Sequence, residues 1–405
     1  MATICCKCSP ETSSFAAPAR DLPIEKDGDG VTAIPFNRPY TTGREAALMA
    51  DAVARGHLSG DGFYTREASR MLAEICGVPF ALLTTSCTHA LEMTALLLDL
   101  QPGDEVIMPS FTFVSTANAF ALRGARPVFV DIKHGTHNID ESLIEQAITD
   151  RTKAIVVVHY AGVACEMDEI LAIADRHGVP VIEDNAHGLG ATYRGRALGS
   201  IGAMATLSFH ETKNIQCGEG GALLVSDPQL HERAEVIREK GTNRSRFFRG
   251  QVDKYTWVDI GSSYLPSDLL AAFLTAQLEA FDDIQQQRMS VWETYATSLA
   301  SWASDSGFGL PSPPQHTQHP AHLFWALAPD LEQRQRFIAH MAGAHIKTVF
   351  HYVPLHDSPI GRRFAGDISL PVTESVSQRL VRLPVYAGIH SDDVGKVVER
   401  ALSFR

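Results

Sequence analysis

Residues 208–214 read Ser-Phe-His-Glu-Thr-Lys-Asn, and a glycine-rich turn, Gly-Glu-Gly-Gly, follows at residues 218–221. Lys213 therefore stands between an apolar, strand-like run (203–209) and a tight turn. A lysine at such a position can reach into a cleft, lose solvent and become a nucleophilic amine near neutral pH. A Schiff-base lysine needs that environment, whereas the simpler alternative is a solvated lysine in a turn. The rest of the sequence has to decide between the two.

Apolar segments of strand length alternate with helical patterns from residue 80 to residue 225. Strands that are apolar throughout and separated by helices predict an α/β fold with a mainly parallel sheet. The predicted strands are Phe80–Thr84, Glu105–Pro109, Arg126–Val130, Ala154–His159, Pro180–Glu183, Ala203–Phe209 and Ala222–Val225. The predicted helices between them are Cys87–Asp99, Val114–Leu122, Asp140–Thr149 and Met167–His177.

The pattern changes after residue 281. A long helical stretch starts at Asp283 and leads to predicted strands near Leu323–Leu327 and Thr348–Phe350. We predict a flexible extension at 1–30, a large domain at 31–281 and a small C-terminal α+β domain at 282–405.

Composition excludes several classes of protein. The chain has 405 residues, of which 45% are hydrophobic, and a formal net charge of -12 that is unsuited to nucleic acid. It has neither an apolar run long enough for a membrane span nor a signal-like start. Its seven cysteines are odd in number and mostly scattered, which favours free thiols and a cytoplasmic protein. Cysteines 5, 6 and 8 have no second ligand cluster, so we predict no metal.

Three further groups lie at the ends of predicted strands. Residues Thr84–Thr88 follow a strand and open a helix, so their hydroxyl and N–H groups form an anion site or, more simply, a helix cap. Phe113 offers a flat apolar face, although an aromatic residue there is usually core. Asp184 ends an apolar strand, where α/β sheets place ligands, and Glu183 is expected to point the opposite way.

A pyridoxal phosphate (PLP) site needs an anion site, an aromatic cover, an acid and a lysine. This chain places all four at the carboxyl ends of predicted strands. Asp184 is the candidate that keeps the pyridine nitrogen protonated, and Ser208 adds a hydroxyl for the phosphate. His187 is a candidate either to hydrogen-bond the cofactor's phenolate oxygen or to stack nearby. We therefore predict PLP as the cofactor, with Lys213 and Asp184 as catalytic residues.

Longer runs resemble those of a known family. They are Gln101–Ser110, Val158–Asp168, Glu239–Ser245 and Phe247–Trp257. Through them the chain resembles the DegT/DnrJ/EryC1/StrS sugar aminotransferases from about Ile34 to Phe404. The resemblance implies the PLP-dependent transferase fold type I (aspartate aminotransferase-like). A large PLP-binding domain would contain a mainly parallel seven-stranded sheet, and the small α+β domain would follow it.

The resemblance also implies roles for single residues. Lys213 would form the Schiff base and Asp184 would pair with the pyridinium. Phe113 would stack on the ring, and the phosphate would be held by Ser86, Cys87, Thr88 and Ser208. Ser263 stands where the wider group often has an asparagine from the partner subunit. The expected assembly is a homodimer with sites shared between subunits.

The implied reaction transfers the amino group of L-glutamate to the 4-keto carbon of a nucleotide sugar, dTDP-4-keto-6-deoxyglucose. The basic residues from Arg238 to Lys254, with aromatic residues among and after them up to Trp257, form a basic segment that is the candidate pyrophosphate site, the alternative being a solvated loop. His351 and Tyr352 are candidate neighbours of the sugar, and core, surface or metal-binding roles are the alternatives for the cluster that contains His322, His351, Tyr352 and His356. The candidate substrate-binding residues are Lys240, Arg244, Arg249, Lys254, Tyr255, His322 and His351.

Three other functions remain open at this point. The first is amination at C3 or of another sugar. The second is a PLP-dependent sugar dehydratase, but enzymes of that kind that remove the C3 hydroxyl typically carry histidine at the position of Lys213. The third is a non-catalytic regulator that binds PLP or a sugar, and the intact lysine and acid argue against it.

Overall fold

The computed structural model describes residues 33–405. The predicted extension at 1–30, with its three cysteines, lies outside the described residues. Residues 34–405 form one compact unit, so the predicted division after residue 281 stays a prediction. Within the described residues, no helix combines the length and the apolar character that crossing a membrane requires.

Fourteen helices are present in the part of the chain that the structure describes. They are α1 (Glu45–Ala54), α2 (Phe63–Cys76), α3 (Cys87–Leu97), α4 (Val114–Ala121), α5 (Ile144–Ala147), α6 (Met167–His177), α7 (Pro228–Arg238), α8 (Arg244–Phe248), α9 (Asp268–Glu279), α10 (Phe281–Ser306), α11 (Leu331–Ala342), α12 (Gly361–Ala365), α13 (Pro371–Arg379) and α14 (Ser391–Leu402).

Twelve strands accompany them in residues 33–405. They are β1 (Phe80–Thr84), β2 (Glu105–Pro109), β3 (Arg126–Val130), β4 (Thr152–Val158), β5 (Val181–Asp184), β6 (Thr192–Tyr193), β7 (Arg196–Ala197), β8 (Met204–Ser208), β9 (Gly221–Val225), β10 (Thr317–Gln318), β11 (Phe324–Leu327) and β12 (Leu380–Leu383).

Seven strands form the central sheet in the order β1-β9-β8-β5-β4-β2-β3. The pairs β8/β5, β5/β4, β4/β2 and β2/β3 are parallel, and β9 runs antiparallel to both of its neighbours. The predicted α/β class with a mainly parallel seven-stranded sheet is thus confirmed. Because six strands run in one direction, their carboxyl ends meet at one edge of the sheet, where α/β proteins place ligands.

Helices cover both faces of this sheet, which explains why its strands are mainly apolar. On one face, Val156 of β4 belongs to a core cluster with Leu91 of α3. On the other face, Ile155 and Val157 pack in a cluster with Ile170 of α6. Alternate residues of a strand point to opposite faces, so a strand covered on both sides is mostly apolar, and its buried polar residues, such as Glu183 and Asp184 at the end of β5, need partners.

Two predicted elements differ from the structure. The expected strand Thr348–Phe350 is wrong, since only Val349 makes an isolated bridge, to Arg382. Instead β11 pairs with β12, a contact between distant segments that local patterning does not reveal. The expected helix Asp140–Thr149 is also too long. It is a 3-10 turn at Glu141–Leu143 followed by the one-turn helix α5.

Candidate active site

A cavity of about 1050 Å³ lies at the carboxyl ends of the central strands. Most of the residues predicted from the sequence line this one cavity, including the lysine and the acid on which the interpretation depends. The predicted residues in its wall are Ser86, Cys87, Thr88, Phe113, Asp184, His187, Ser208, Lys213, His322 and His351. Segments distant in sequence therefore meet where the strand pattern places a ligand.

Lys213 lies in the connection between β8 and β9. Its backbone N–H donates to the carbonyl of His210 at 2.8 Å, and the N–H of Glu211 donates to the carbonyl of Gly218 at 2.9 Å. Gly218 has a φ of 79°, a conformation that suits glycine, and it closes the turn. Burial lowers the pKa of Lys213 to about 8, because its effect outweighs that of the nearby Asp184, which raises this pKa. The amine is therefore partly unprotonated near neutral pH.

Asp184 is the last residue of β5, and its carboxylate is buried. Oδ2 accepts a hydrogen bond from the Thr116 hydroxyl at 2.7 Å, and Oδ1 accepts one from the N–H of Ala186 at 3.3 Å. Burial raises the pKa of Asp184 despite these bonds and the charge of Lys213. A buried carboxylate of this kind is stabilised by a cationic N–H donor in the cavity, which fits a pyridinium nitrogen.

Thr116 is a site residue that the sequence reasoning missed. It lies in the first turn of α4, and its hydroxyl also bonds that of Thr112 at 2.8 Å. The signal that could have found it is the pair of threonines four residues apart on either side of Phe113. Threonine hydroxyls at the start of a helix are usually explained as caps, which hides such a role.

The start of α3 provides donors for an anion. Ser86 is the N-cap, and its hydroxyl accepts from the N–H of His89 at 3.1 Å. The first N–H groups of a helix, here those of Cys87 and Thr88, have no acceptor within the helix. The Thr88 hydroxyl bonds that of Ser115 at 2.7 Å. Ser208, at the end of β8, faces the same cavity.

Gly221 allows β9 to approach this helix start closely. A Cβ at residue 221 would lie 2.4 Å from the backbone nitrogen of Cys87 and 2.4 Å from the carbonyl carbon of Ser86. Such distances are far below van der Waals contact, so only glycine fits without displacing the helix. The residues at the helix start therefore fit a bound phosphate.

Aromatic and imidazole rings line another wall of the cavity. The ring of Phe113 is 58% exposed and therefore free to cover a ligand. His187 Nδ1 accepts from the N–H of Ala161 at 3.3 Å, and Nε2 lies 3.3 Å from the hydroxyl of Tyr352. Burial holds the pKa of His187 well below its usual value. Its ring is therefore neutral, and Nε2 carries the proton.

The basic segment does not line this cavity. Arg244 forms an ion pair with Glu239 at 3.0 Å, and Arg249 forms one with Glu235 at 2.8 Å. Both arginines border a second cavity of about 990 Å³. Ser263 makes an isolated bridge with Glu239. The predicted residues outside the main cavity are Lys240, Arg244, Arg249, Lys254, Tyr255 and Ser263.

Arg382 is a second residue that the sequence reasoning missed. It lines the main cavity, and its Nε and Nη2 donate to the carbonyl of Phe350 at 3.3 and 3.1 Å. Among residues 33–405 it pairs with no carboxylate. Its guanidinium also lies over the Phe36 ring, 4.7 Å from the centroid. An arginine held in this way keeps donors available for an anion.

Comparison with known proteins gives a family for this geometry. The sequence profile of the DegT/DnrJ/EryC1/StrS aminotransferase family matches residues 40–402. The chain belongs to this family.

Relatives and solved structures agree with the family. An uncharacterized protein of Methanocaldococcus jannaschii is 35% identical over 343 residues, which cover 82% of this chain and 88% of that protein. The structure of S. venezuelae DesV in complex with a ketimine intermediate is 31% identical, with a TM-score of 0.83. The match covers 91% of this chain and 98% of that one. A proposed sugar aminotransferase of Streptococcus pneumoniae, solved in a PLP form, is 26% identical, with a TM-score of 0.85. That match covers 92% of this chain and 98% of the other.

These comparisons confirm two predictions. The fold is that of PLP-dependent aminotransferases of fold type I, and the cofactor of the family is PLP. The Streptococcus pneumoniae protein is also solved in a PMP form, which is the aminated cofactor. The residues of this chain fit that cofactor, because an amine, a buried carboxylate and a glycine-lined anion site share one cavity.

Proposed function

We propose that the protein transfers the amino group of L-glutamate to the 4-keto carbon of a nucleotide-linked 4-keto-6-deoxyhexose. The specific substrate proposed is dTDP-4-keto-6-deoxy-D-glucose, which would give dTDP-4-amino-4,6-dideoxy-D-galactose. The observation that carries the proposal is that Lys213 and Asp184 line the same cavity. The four sequence runs that resemble sugar aminotransferases support the choice of substrate. The cytoplasmic location stays a prediction.

PLP, when bound, supplies an electron-withdrawing ring that acidifies the carbon bearing the substrate nitrogen. Asp184 would hold the ring nitrogen protonated, with Thr116 fixing its carboxylate. Lys213 would move a proton to and from the reacting carbon, and its pKa of about 8 suits an acid that also acts as a base. Positioned proton transfer of this kind contributes roughly 100- to 10,000-fold to a rate.

The phosphate of the cofactor would be held by the start of α3. The proposed donors are the hydroxyls of Ser86 and Thr88 and the N–H groups of Cys87 and Thr88, with the hydroxyl of Ser208 in the same cavity wall. His187 would donate its Nε2 proton to the phenolate oxygen, and Phe113 would cover the ring. These roles are supported by their common position in the cavity wall.

The amino donor carries carboxylates, and the cavity offers a cation for one of them. Arg382 pairs with no carboxylate among the described residues, and its guanidinium is fixed by the Phe350 carbonyl. We infer that it binds a carboxylate of glutamate. A planar guanidinium suits that group because two parallel N–H donors match the two carboxylate oxygens.

The nucleotide part of the substrate would be bound with help from a second subunit. The basic segment lies outside the main cavity of its own chain, and it exposes large aromatic side chains, including Phe248 (68% exposed) and Trp257 (76% exposed). In a homodimer, Lys240 and Lys254 would bind the pyrophosphate in the partner's cavity. Ser263 would likewise contact the partner's cofactor phosphate.

Incubation with L-glutamate and dTDP-4-keto-6-deoxyglucose tests this function, with NMR of the product sugar. We expect an amine at C4 and one equivalent of 2-oxoglutarate. The Lys213→Ala variant is the control and should form neither product. An amine at C3, or loss of a hydroxyl without amine transfer, would replace the proposed reaction with one of the alternatives.

A further inference from the structure

A chain of hydrogen bonds fixes the His322 ring in the cavity wall. Gln285 Nε2 donates to the Leu189 carbonyl at 3.2 Å, so its Oε1 faces Asn214 and accepts from Asn214 Nδ2 at 3.0 Å. The same Nδ2 donates to the Pro320 carbonyl at 2.7 Å. The two carbonyls thus fix the orientations of the Gln285 and Asn214 side-chain amides. Asn214 Oδ1 then accepts a hydrogen bond from His322 Nδ1 at 2.8 Å.

This network determines the tautomer of His322. Nδ1 carries the proton, because its partner oxygen can only accept. Burial, with the positive charges near it, holds the pKa of His322 well below its usual value, so the ring stays neutral. Nε2 is therefore an unprotonated acceptor. Within residues 33–405 no hydrogen bond reaches it, and the ring lines the cavity.

The surroundings of His322 decide what it can accept. Its ring stacks on that of His187 at a centroid distance of 4.2 Å. Lys213 directly precedes Asn214 in the chain, so the residue that bonds His322 is the sequence neighbour of the reacting lysine. The lone pair of Nε2 repels a carboxylate oxygen, which makes this wall unsuitable for the acid groups of glutamate. It suits an O–H donor close to the reacting carbon.

We propose that His322 Nε2 accepts a hydrogen bond from a ring hydroxyl of the sugar and so selects a sugar that is hydroxylated beside the aminated carbon. The inference rests on the proposed function, since of the two substrates only the sugar presents hydroxyl donors. His322 is then a specificity-determining residue. A site that pairs with a substrate hydroxyl discriminates strongly against the analogue that lacks it.

Two variants test the contact. His322→Asn keeps an amide N–H where Nδ1 stands, so it retains the donor to Asn214 and removes the Nε2 acceptor. His322→Phe keeps the ring that stacks on His187 and removes both nitrogens. For both variants we expect kcat/KM of the sugar half-reaction to fall about tenfold or more. The glutamate half-reaction, followed by 2-oxoglutarate release, should stay within about twofold, because no hydroxyl takes part in it.

The probes are dTDP-4-keto-6-deoxyglucose and its 2-deoxy and 3-deoxy analogues. The wild-type protein should discriminate against the 3-deoxy analogue, because C3 is the hydroxylated carbon beside C4, and not against the 2-deoxy analogue; His322→Asn should lose that discrimination, as in a double-mutant cycle. The inference is overturned, and the proposed function is not, if both proteins discriminate equally or if the variants lose both half-reactions equally. If the wild type reacts with glutamate but aminates none of these sugars, the proposed function fails and this inference fails with it.

Discussion

Glu183 and Asp184 are neighbours in sequence, but their carboxylates lie on opposite faces of β5. Glu183 accepts from His159 Nε2 at 2.9 Å and from the N–H groups of Gly199, Ile201 and Gly202 at 2.7 to 2.8 Å. Burial opposes its charge, but these bonds hold its pKa below the usual value. Asp184 faces the cavity instead, as alternation along a strand requires.

This division predicts different results for two matched amide substitutions. Asp184→Asn keeps the shape but removes the charge that would pair with the ring nitrogen of the cofactor, so kcat should fall about 100-fold or more. Glu183→Gln places an amide against buried N–H groups, so we expect a loss of about 3 kcal/mol in stability and near-normal kcat in the folded protein. Rate assays and thermal unfolding separate the two. Normal activity of Asp184→Asn would contradict the assigned role.

The pKa of Lys213 predicts how fast the protein without cofactor attaches PLP. Only the unprotonated amine attacks an aldehyde, and burial lowers this pKa to about 8. The attachment rate should rise with pH and level off just above pH 8. Borohydride trapping followed by mass spectrometry measures it, with Lys213→Ala as the blank. A rate that still rises near pH 10 would show an ordinary, solvated lysine.

The sequence predicted much of this site because its strongest signals are local. Apolar strands bounded by turns gave all seven strands of the central sheet, with shifts of one or two residues at their ends. Asp184 could be recognised because it ends such a strand, and Lys213 because it lies in the turn that follows one. Their common cavity follows from parallel strands that end at one edge.

The remaining features depend on contacts between distant segments. Arg382 reaches the cavity through the pairing of β11 with β12. Thr116 and Asp184, which form a hydrogen bond, are 68 residues apart in sequence. The basic segment looked like a free anion site, because sequence does not reveal that Arg249 pairs with Glu235. Such pairs are formed by packing, which local patterns do not specify.

Gly221 provides a test of the anion site that does not depend on catalysis. Gly221→Ala would place a methyl group 2.4 Å from backbone atoms of the α3 start, so we expect a loss of roughly 1–3 kcal/mol and weaker stabilisation by PLP. Gly395→Ala in α14 is the matched control, because in the described part of the chain no atom beyond the adjacent residues and backbone of its own helix lies within 4 Å of its new methyl group. It should gain roughly 0.5–1 kcal/mol. Unfolding with and without PLP measures both.

Arg382→Gln should impair the glutamate half-reaction. Loss of a charged donor to the carboxylate predicts a KM for glutamate roughly tenfold higher or more. Arg379→Gln is the control, since Arg379 bonds the Ala328 carbonyl at 2.7 Å and does not line the cavity. It should leave that KM unchanged. An equal rise in both variants would indicate a loss of packing instead of a carboxylate contact.

Sites shared between subunits predict complementation between two inactive variants. Lys213→Ala removes the amine, and Lys254→Ala removes a cation that would act in the partner's cavity. Each alone should lose sugar amination, while Lys254→Ala should keep the glutamate half-reaction. When the two are unfolded and refolded together, hybrid dimers contain one complete site, so about one quarter of wild-type activity should return.

Lys396→Ala is the control for the loss of a surface lysine, because the ion pair that Lys396 forms among residues 33–405 is with Asp393 on α14, at 2.8 Å. It should keep full activity alone. If the basic segment served its own chain, each hybrid would contain one subunit without the amine and one without the cation. No activity would then return on mixing. Size-exclusion chromatography of the mixture confirms that hybrids have formed, so the absence of activity would reject the shared site.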